Sequence, residues 1–187
     1  MNALSAILVD SSAYFRLAKS IHPLLGVKFG ERQHCLYVID ALDEEFGRNT
    51  RLSTKFAWVS DSQYSDNRRA CLVSASREPK QIAIAEGFLR HHSIQRQLGL
   101  SAIDIRVLAT ASVFSMPLVS DDEAMLDVAE VFSIEAMRSI ELLKLMVDCG
   151  HVDLAKVKQI VAYWRYEKDV PAGLRDDCHR LFGDALL

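Results

Sequence analysis

Two short apolar runs, each closed by aspartate, constrain this chain more than any other feature. Leu4 to Val9 runs into Asp10 and two serines, and Met116 to Ser120 runs into Asp121 and Asp122. A short apolar run without strict alternation is how a parallel strand buried on both faces reads, and capping residues directly after it mark the passage into a crossover helix. Pro117, at the start of the second run, suits the first residue of a strand.

The rest of the chain alternates in the same way. Tyr14 to Leu25 reads as a helix broken near Pro23. From Glu31 to Arg48 the apolar residues Cys35, Val38, Ile39, Leu42 and Phe46 recur at steps of three and four, which predicts one amphipathic helix ending near Gly47. Further helices are expected over Asn67 to Ser76 and Pro79 to Leu98, while 53–65 suits a strand or a helix equally. Ser101 reads as the N-cap of a helix over Ala102 to Phe114. A helix from Asp122 to Glu130 and a short strand near Val131 to Ile134 continue the pattern. Helices from Ser139 to Asp148, closed by Gly150, from Asp153 to Tyr166, and from Pro171 complete it. Strand and helix in alternation favour an α/β fold in three layers, α/β/α, with a central parallel sheet and extra C-terminal helices.

With 187 residues, 50% of them apolar, the chain is long enough to bury a proper core as one domain. Its longest apolar runs fall far short of the roughly 18 residues a bilayer span requires, so no membrane partner is expected. Met1 to Val9 carries neither a basic leader nor a small-residue cleavage site, which predicts a cytoplasmic, unprocessed protein. The four cysteines form no C-x-x-C pair and the six histidines no H-E-x-x-H spacing, so zinc and disulfide frameworks are disfavoured. The net charge of −3 argues against coating nucleic acid through an overall field, yet residues 48–106 hold ten Lys or Arg against five Asp or Glu. That basic middle, especially Arg48, Arg51, Arg68 and Arg69, is the candidate path for an RNA strand.

In an open parallel sheet, ligands collect outside the carboxyl ends of the strands, and here those ends are acidic. Asp10 follows the first strand; Asp121 and Asp122 follow the later one. On a wheel of about 100° per residue, Glu45 lies about 80° from the apolar stripe of its helix, able to reach over the rim, with Asp43 at the other border as rival and Glu44 turned to water. Asp104 falls about 60° from the stripe centre in the first turn of its own helix, where the helix dipole favours a carboxylate. Converging carboxylates without His or Cys repel one another unless a cation neutralises them. Oxygen-only ligation suits Mg²⁺ or Mn²⁺, and such ions work on phosphates, so phosphoryl transfer or phosphodiester hydrolysis is the expected chemistry. A Walker A or dinucleotide site would need glycines that are absent after Val9. A phosphatase of the haloacid-dehalogenase type would need an acid where Ser12 stands.

The runs Ile7-Leu8-Val9-Asp10-Ser11-Ser12-Ala13, Glu45-Phe46-Gly47-Arg48, Asp104-Ile105-Arg106-Val107-Leu108-Ala109-Thr110-Ala111 and Pro117-Leu118-Val119-Ser120-Asp121-Asp122 resemble, in order and spacing, the PIN domain nucleases. The resemblance covers residues 4–135 and extends weakly to the helix end at Leu142 to Gly150. It implies a PIN-like nuclease domain over 1–150, with 151–187 a C-terminal helical extension packed on the same domain. It also implies a metal-dependent ribonuclease, often the toxin of a toxin–antitoxin pair, so an antitoxin protein and a second copy of the chain are the implied partners beside RNA. Asp10, Glu45, Asp104 and Asp122 would be catalytic. Asp10, Asp104 and Asp122 would hold Mg²⁺ or Mn²⁺, Glu45 would orient or deprotonate the attacking water, and Ser11, Ser120 and Asp121 would support them. Ala124 stands where many members carry a further acid or amide. The competing expectation is a PIN-like fold without catalysis that binds RNA or a protein.

Overall fold

The computed structural model describes residues 5–48 and 50–186; the side chains of Glu45, Arg48, Arg51 and Ala185 lie outside that description. Five strands form one all-parallel sheet: β1 (Ala6–Val9), β2 (Cys35–Ile39), β3 (Leu72–Val73), β4 (Leu118–Val119) and β5 (Ala136–Met137), in the order β3-β2-β1-β4-β5. Ile7 pairs with Leu36 on one side of β1, and Val9 with Val119 on the other.

Strand side chains point alternately to the two faces, and both faces are apolar. Ile7, Val9, Leu36, Val38 and Val119 enter one core with helices α1 (Ser11–Leu17), α8 (Ser139–Asp148), α9 (Leu154–Tyr166) and α10 (Leu174–Phe182). Leu8, Ile39 and Leu118 enter the other with α5 (Pro79–Arg96), α6 (Ala102–Phe114) and α7 (Glu123–Val131). Helices therefore cover both faces of a central sheet, a three-layer α/β/α architecture. Short helices α2 (Ala41–Arg48), α3 (Thr50–Lys55) and α4 (Ser62–Ala70) lie between β2 and β3. Among the described residues no helix is long and apolar enough to cross a membrane.

Several elements match their sequence signals closely. The α6 helix spans Ala102–Phe114 behind Ser101, whose hydroxyl caps it, and α8 spans Ser139–Asp148. Asp122 caps α7, and Asp153 caps α9. The stripe Val157, Ile160, Val161 and Trp164 of α9 is buried in the core shared with β1 and β2.

Four expectations are corrected. The single helix over Glu31 to Arg48 is β2 followed by α2; Cys35, Val38 and Ile39 fit a helical period by spacing, but the unbroken run Cys35-Leu36-Tyr37-Val38-Ile39 is a strand walled in on both faces. The Tyr14 to Leu25 helix is replaced by α1, which begins at Ser11, capped by Asp10, and ends at Leu17. The Asn67 to Ser76 helix ends at Ala70, because Leu72 and Val73 pair with Val38 and Ile39 as the edge strand β3. The last strand is Ala136–Met137 rather than Val131 to Ile134, since α7 runs on to Val131 and the chain turns there, with Ser133 at φ 56°. The segment 53–65 holds the end of α3, a 3₁₀ turn over Ala57–Ser60 and the start of α4.

Candidate functional site

The sheet order places β1 between β2, which it precedes, and β4, reached only after the chain crosses back. This is the topological switch point, where the crossovers on either side diverge and leave a crevice above the strand ends. Asp10 sits at the end of β1 and Ser120 at the end of β4. The Ser120 hydroxyl donates to Asp10 Oδ2 at 2.6 Å, joining residues 110 positions apart.

Asp10 is held from three directions. The Ala13 N–H donates to its Oδ1 at 2.6 Å, as befits the N-cap of α1, and the Ser12 hydroxyl lies 3.0 and 3.1 Å from its two oxygens. The side chain is buried and, among the described residues, has no ion pair. Burial pushes its carboxyl from 3.8 up to about 7; the Ser120 and Ala13 hydrogen bonds oppose that rise, and the neighbouring Asp121 adds to it.

Asp121 is buried beside it but differently served. It accepts from the Ser139 N–H at 2.9 Å and hydroxyl at 2.7 Å, and Arg16 Nη1 pairs with it at 2.8 Å. Its charge is compensated, whereas that of Asp10 is not.

Asp122 is exposed and caps α7, accepting from the Met125 N–H at 3.1 Å, while its own N–H donates to Ser120 Oγ at 3.2 Å. Asp104 closes a capping box with Ser101: its carboxylate accepts from the Ser101 N–H at 2.8 Å, and its own backbone N–H donates to the Ser101 hydroxyl at 3.1 Å. Arg106, one turn along α6, pairs with Glu86 of α5 at 2.9 Å and also feels the charges of Asp40 after β2 and Glu44 of α2. Glu45 belongs to α2, but its side chain lies outside the described residues, as do those of Arg48 and Arg51. Asp43, the rival to Glu45, pairs with Arg68 at 2.8 Å. Arg68 itself is buried and also donates to Tyr14 Oη and the Val59 carbonyl, so its donors are spent inside the protein rather than offered to a strand. Arg69 is exposed beside Asp66.

Ser12, rather than Ser11, supplies the hydroxyl on Asp10. Asp40, exposed after β2 and 3.4 Å from the Ser74 hydroxyl, is a further rim acid that sequence reading missed. Its signal was present: Tyr37-Val38-Ile39-Asp40 repeats the apolar run and closing aspartate of Ile7-Leu8-Val9-Asp10. A roomier cleft of about 810 Å³ opens at the opposite rim, around Ser5, Gly30, Pro117 and Glu135, away from these groups.

Carboxylates and hydroxyls at the crevice are the donor set of a hard divalent cation, and an uncompensated buried Asp10 is the group most in want of one. On donor chemistry the site fits such an ion. Among the described residues, however, no three Asp, Glu, His or Cys side chains converge to hold it.

Fold and crevice together define an open parallel α/β protein with an acidic switch point. No model of a known protein family matches the chain, and no curated protein matches it in sequence.

Proposed function

We propose that this chain is a Mg²⁺- or Mn²⁺-dependent endoribonuclease of the PIN type, the toxin of a toxin–antitoxin pair being the setting its sequence resemblance implies. The observation that carries the reading is Asp10: a buried carboxylate without a cationic partner among the described residues, at the crevice where strand order reverses, its carboxyl raised to about 7. Asp10 would be the first ligand of the ion, and the sequence resemblance adds Asp104 and Asp122, which would have to leave their helix-end hydrogen bonds to join it, with Glu45 to orient the water; bound there, a divalent cation would lower the pKa of its water and offset charge on a phosphodiester.

The protein's own groups do the remainder. Ser12 and Ser120 fix the orientation of the Asp10 carboxylate, leaving it one geometry to present. Arg16 neutralises Asp121, so the second buried acid does not compete for the same charge. At neutral pH the Asp10 proton must leave before a cation can take its place, which ties activity to pH. Arg48, Arg51 and Arg69 are the proposed contacts to the strand.

A second reading, a PIN-like fold that binds RNA or protein without cutting it, is favoured by one observation: Asp104 is engaged in the capping box of α6 and Asp122 is the N-cap of α7. Cleavage of single-stranded RNA by the wild type and by Asp122→Asn, each with Mn²⁺ or with EDTA, separates the two. Asparagine caps a helix as well as aspartate, so the variant should fold while losing roughly 100-fold in rate. Cleavage that persists in EDTA overturns the metal-dependent reading, and binding without any cleavage favours the second.

A further inference from the structure

The C-terminal extension reaches back to the crevice. The Trp164 indole N–H of α9 donates to the Arg16 carbonyl at the end of α1, at 3.0 Å, and Trp164 is fully buried. Just past that helix, Lys168 takes a left-handed conformation (φ 54°) and the Asp169 N–H turns back to the Trp164 carbonyl at 2.9 Å. The same helix end thus pins α9 to α1 and sets Asp169 above it.

Asp169 stands in a cavity of about 320 Å³ walled by Ser12, Phe15, Arg16, Lys55 and Phe56. Ser12 is the residue whose hydroxyl binds Asp10, so the cavity begins where the acidic crevice ends. Aromatic rings line it: Phe15 and Phe56 stack at 4.9 Å with planes 15° apart, and Lys55 Nζ lies 4.9 Å over the Phe56 ring.

Two cations face this space, and they are held unequally. Arg16 grips Asp121 on its inner side at 2.8 Å, the length of a charge-assisted hydrogen bond. On the outer side Asp169 accepts only a long hydrogen bond from Arg16 Nη2, at 3.4 Å, and lies 3.4 Å from Arg16 Nε and 3.5 Å from Lys55 Nζ. Arg16 Nε is buried with no hydrogen-bond partner among the described residues. The inner bond is structural; the outer one leaves a donor unspent. Arg16 and Lys55 balance Asp121 and Asp169, so the group is neutral with Asp169 in place and one positive charge in excess without it. A phosphodiester carries the same single negative charge as Asp169, with oxygens able to take the unmet donor.

We infer that this cavity is a phosphate subsite for an RNA strand lying across Asp10, and that Asp169 occupies it until a phosphodiester of the strand replaces it. The direction of the strand rests on the nuclease reading above; the exchange at Arg16 and Lys55 does not. A rotation of the Asp169 side chain would open the subsite, its backbone being held just past α9 by the bond from its N–H to the Trp164 carbonyl.

Fluorescence anisotropy with a labelled 2′-O-methyl oligoribonucleotide in EDTA reads binding without cleavage. Asp169→Asn should bind about fivefold tighter, the size of one partly exposed ion pair removed from competition. Lys55→Gln should bind several-fold more weakly and reduce the log–log salt slope by about 0.7, one phosphate contact on a single strand. Combining the two changes should erase the gain. Unchanged affinity in Asp169→Asn, or an unchanged salt slope in Lys55→Gln, overturns the subsite. Tightened binding with no cleavage in Mn²⁺ refutes the nuclease reading and keeps the subsite; metal-dependent cleavage with unaltered binding does the reverse.

Discussion

Replacing Asp10 by asparagine should make the metal-free protein more stable at neutral and alkaline pH. The carboxyl of Asp10 has a folded-state pKa of about 7 against an ordinary 3.8, with burial the leading cause. A raised acid is favoured protonated in the folded state. The stability it contributes is whole below about pH 4 and is lost as the pH climbs to about 7, a loss of about 4 kcal/mol at 1.36 kcal/mol per unit. Asparagine keeps the shape: its Oδ1 can still accept from the Ala13 N–H, and its amide can face Ser120 Oγ, whose proton has Met125 Sδ at 3.5 Å as an alternative acceptor. Urea unfolding in EDTA at pH 5 and pH 8 supplies the assay. The wild type should lose about 3 kcal/mol more than Asp10→Asn between those two values. Saturating Mn²⁺ at pH 8 should then restore about 3 kcal/mol to the wild type, at a hundredfold excess over Kd, and nothing to the variant. Parallel pH profiles in EDTA would refute the claim that Asp10 is an uncompensated buried acid.

Two further predictions test the scaffold around the site. Arg16→Met should destabilise by about 3–5 kcal/mol because it strands Asp121, whose side chain is 1% exposed, without its cation; adding Asp121→Asn should recover most of that, and a double variant no better than the single one would count against the pairing. Trp164→Ala should cost about 3–5 kcal/mol in thermal or urea unfolding, since it empties a fully buried site and removes the bond to the Arg16 carbonyl; a loss under about 1 kcal/mol would mean the extension is not part of the core.

How far the sequence disclosed this arrangement differs from element to element. The meeting of Asp10 and Ser120 was legible because each follows a buried apolar run, and parallel strands put such positions on one rim. The α6 and α8 helices were legible because their caps, Ser101 and Gly150, coincide with the ends of helical periods. The β2–α2 junction was not, since Cys35, Val38, Ile39, Leu42 and Phe46 keep helical spacing across a boundary that only pairing with β1 reveals. The helix that carries Glu45 begins ten residues later than its apolar spacing predicts for the same reason: α2 starts at Ala41, not Glu31. Arg68 read as a surface cation because charge composition carries no burial; its partners, Asp43, Tyr14 and Val59, lie on separate elements that packing brings together. Arg16 offered no signal at all, because its importance comes from Asp121 and Asp169, at separations of 105 and 153 residues.

The hydrogen bond from Trp164 to Arg16 spans 148 positions. During synthesis β1 and α1 leave the ribosome well before the segment that seals their apolar side. Until then Arg16 has no Asp169 opposite it and the first core stands open, so a truncated product should be aggregation-prone and a nascent chain should not fold early. Until α9 has emerged, the cavity beside the acidic crevice lacks the wall that Asp169 supplies, whatever chemistry the crevice performs.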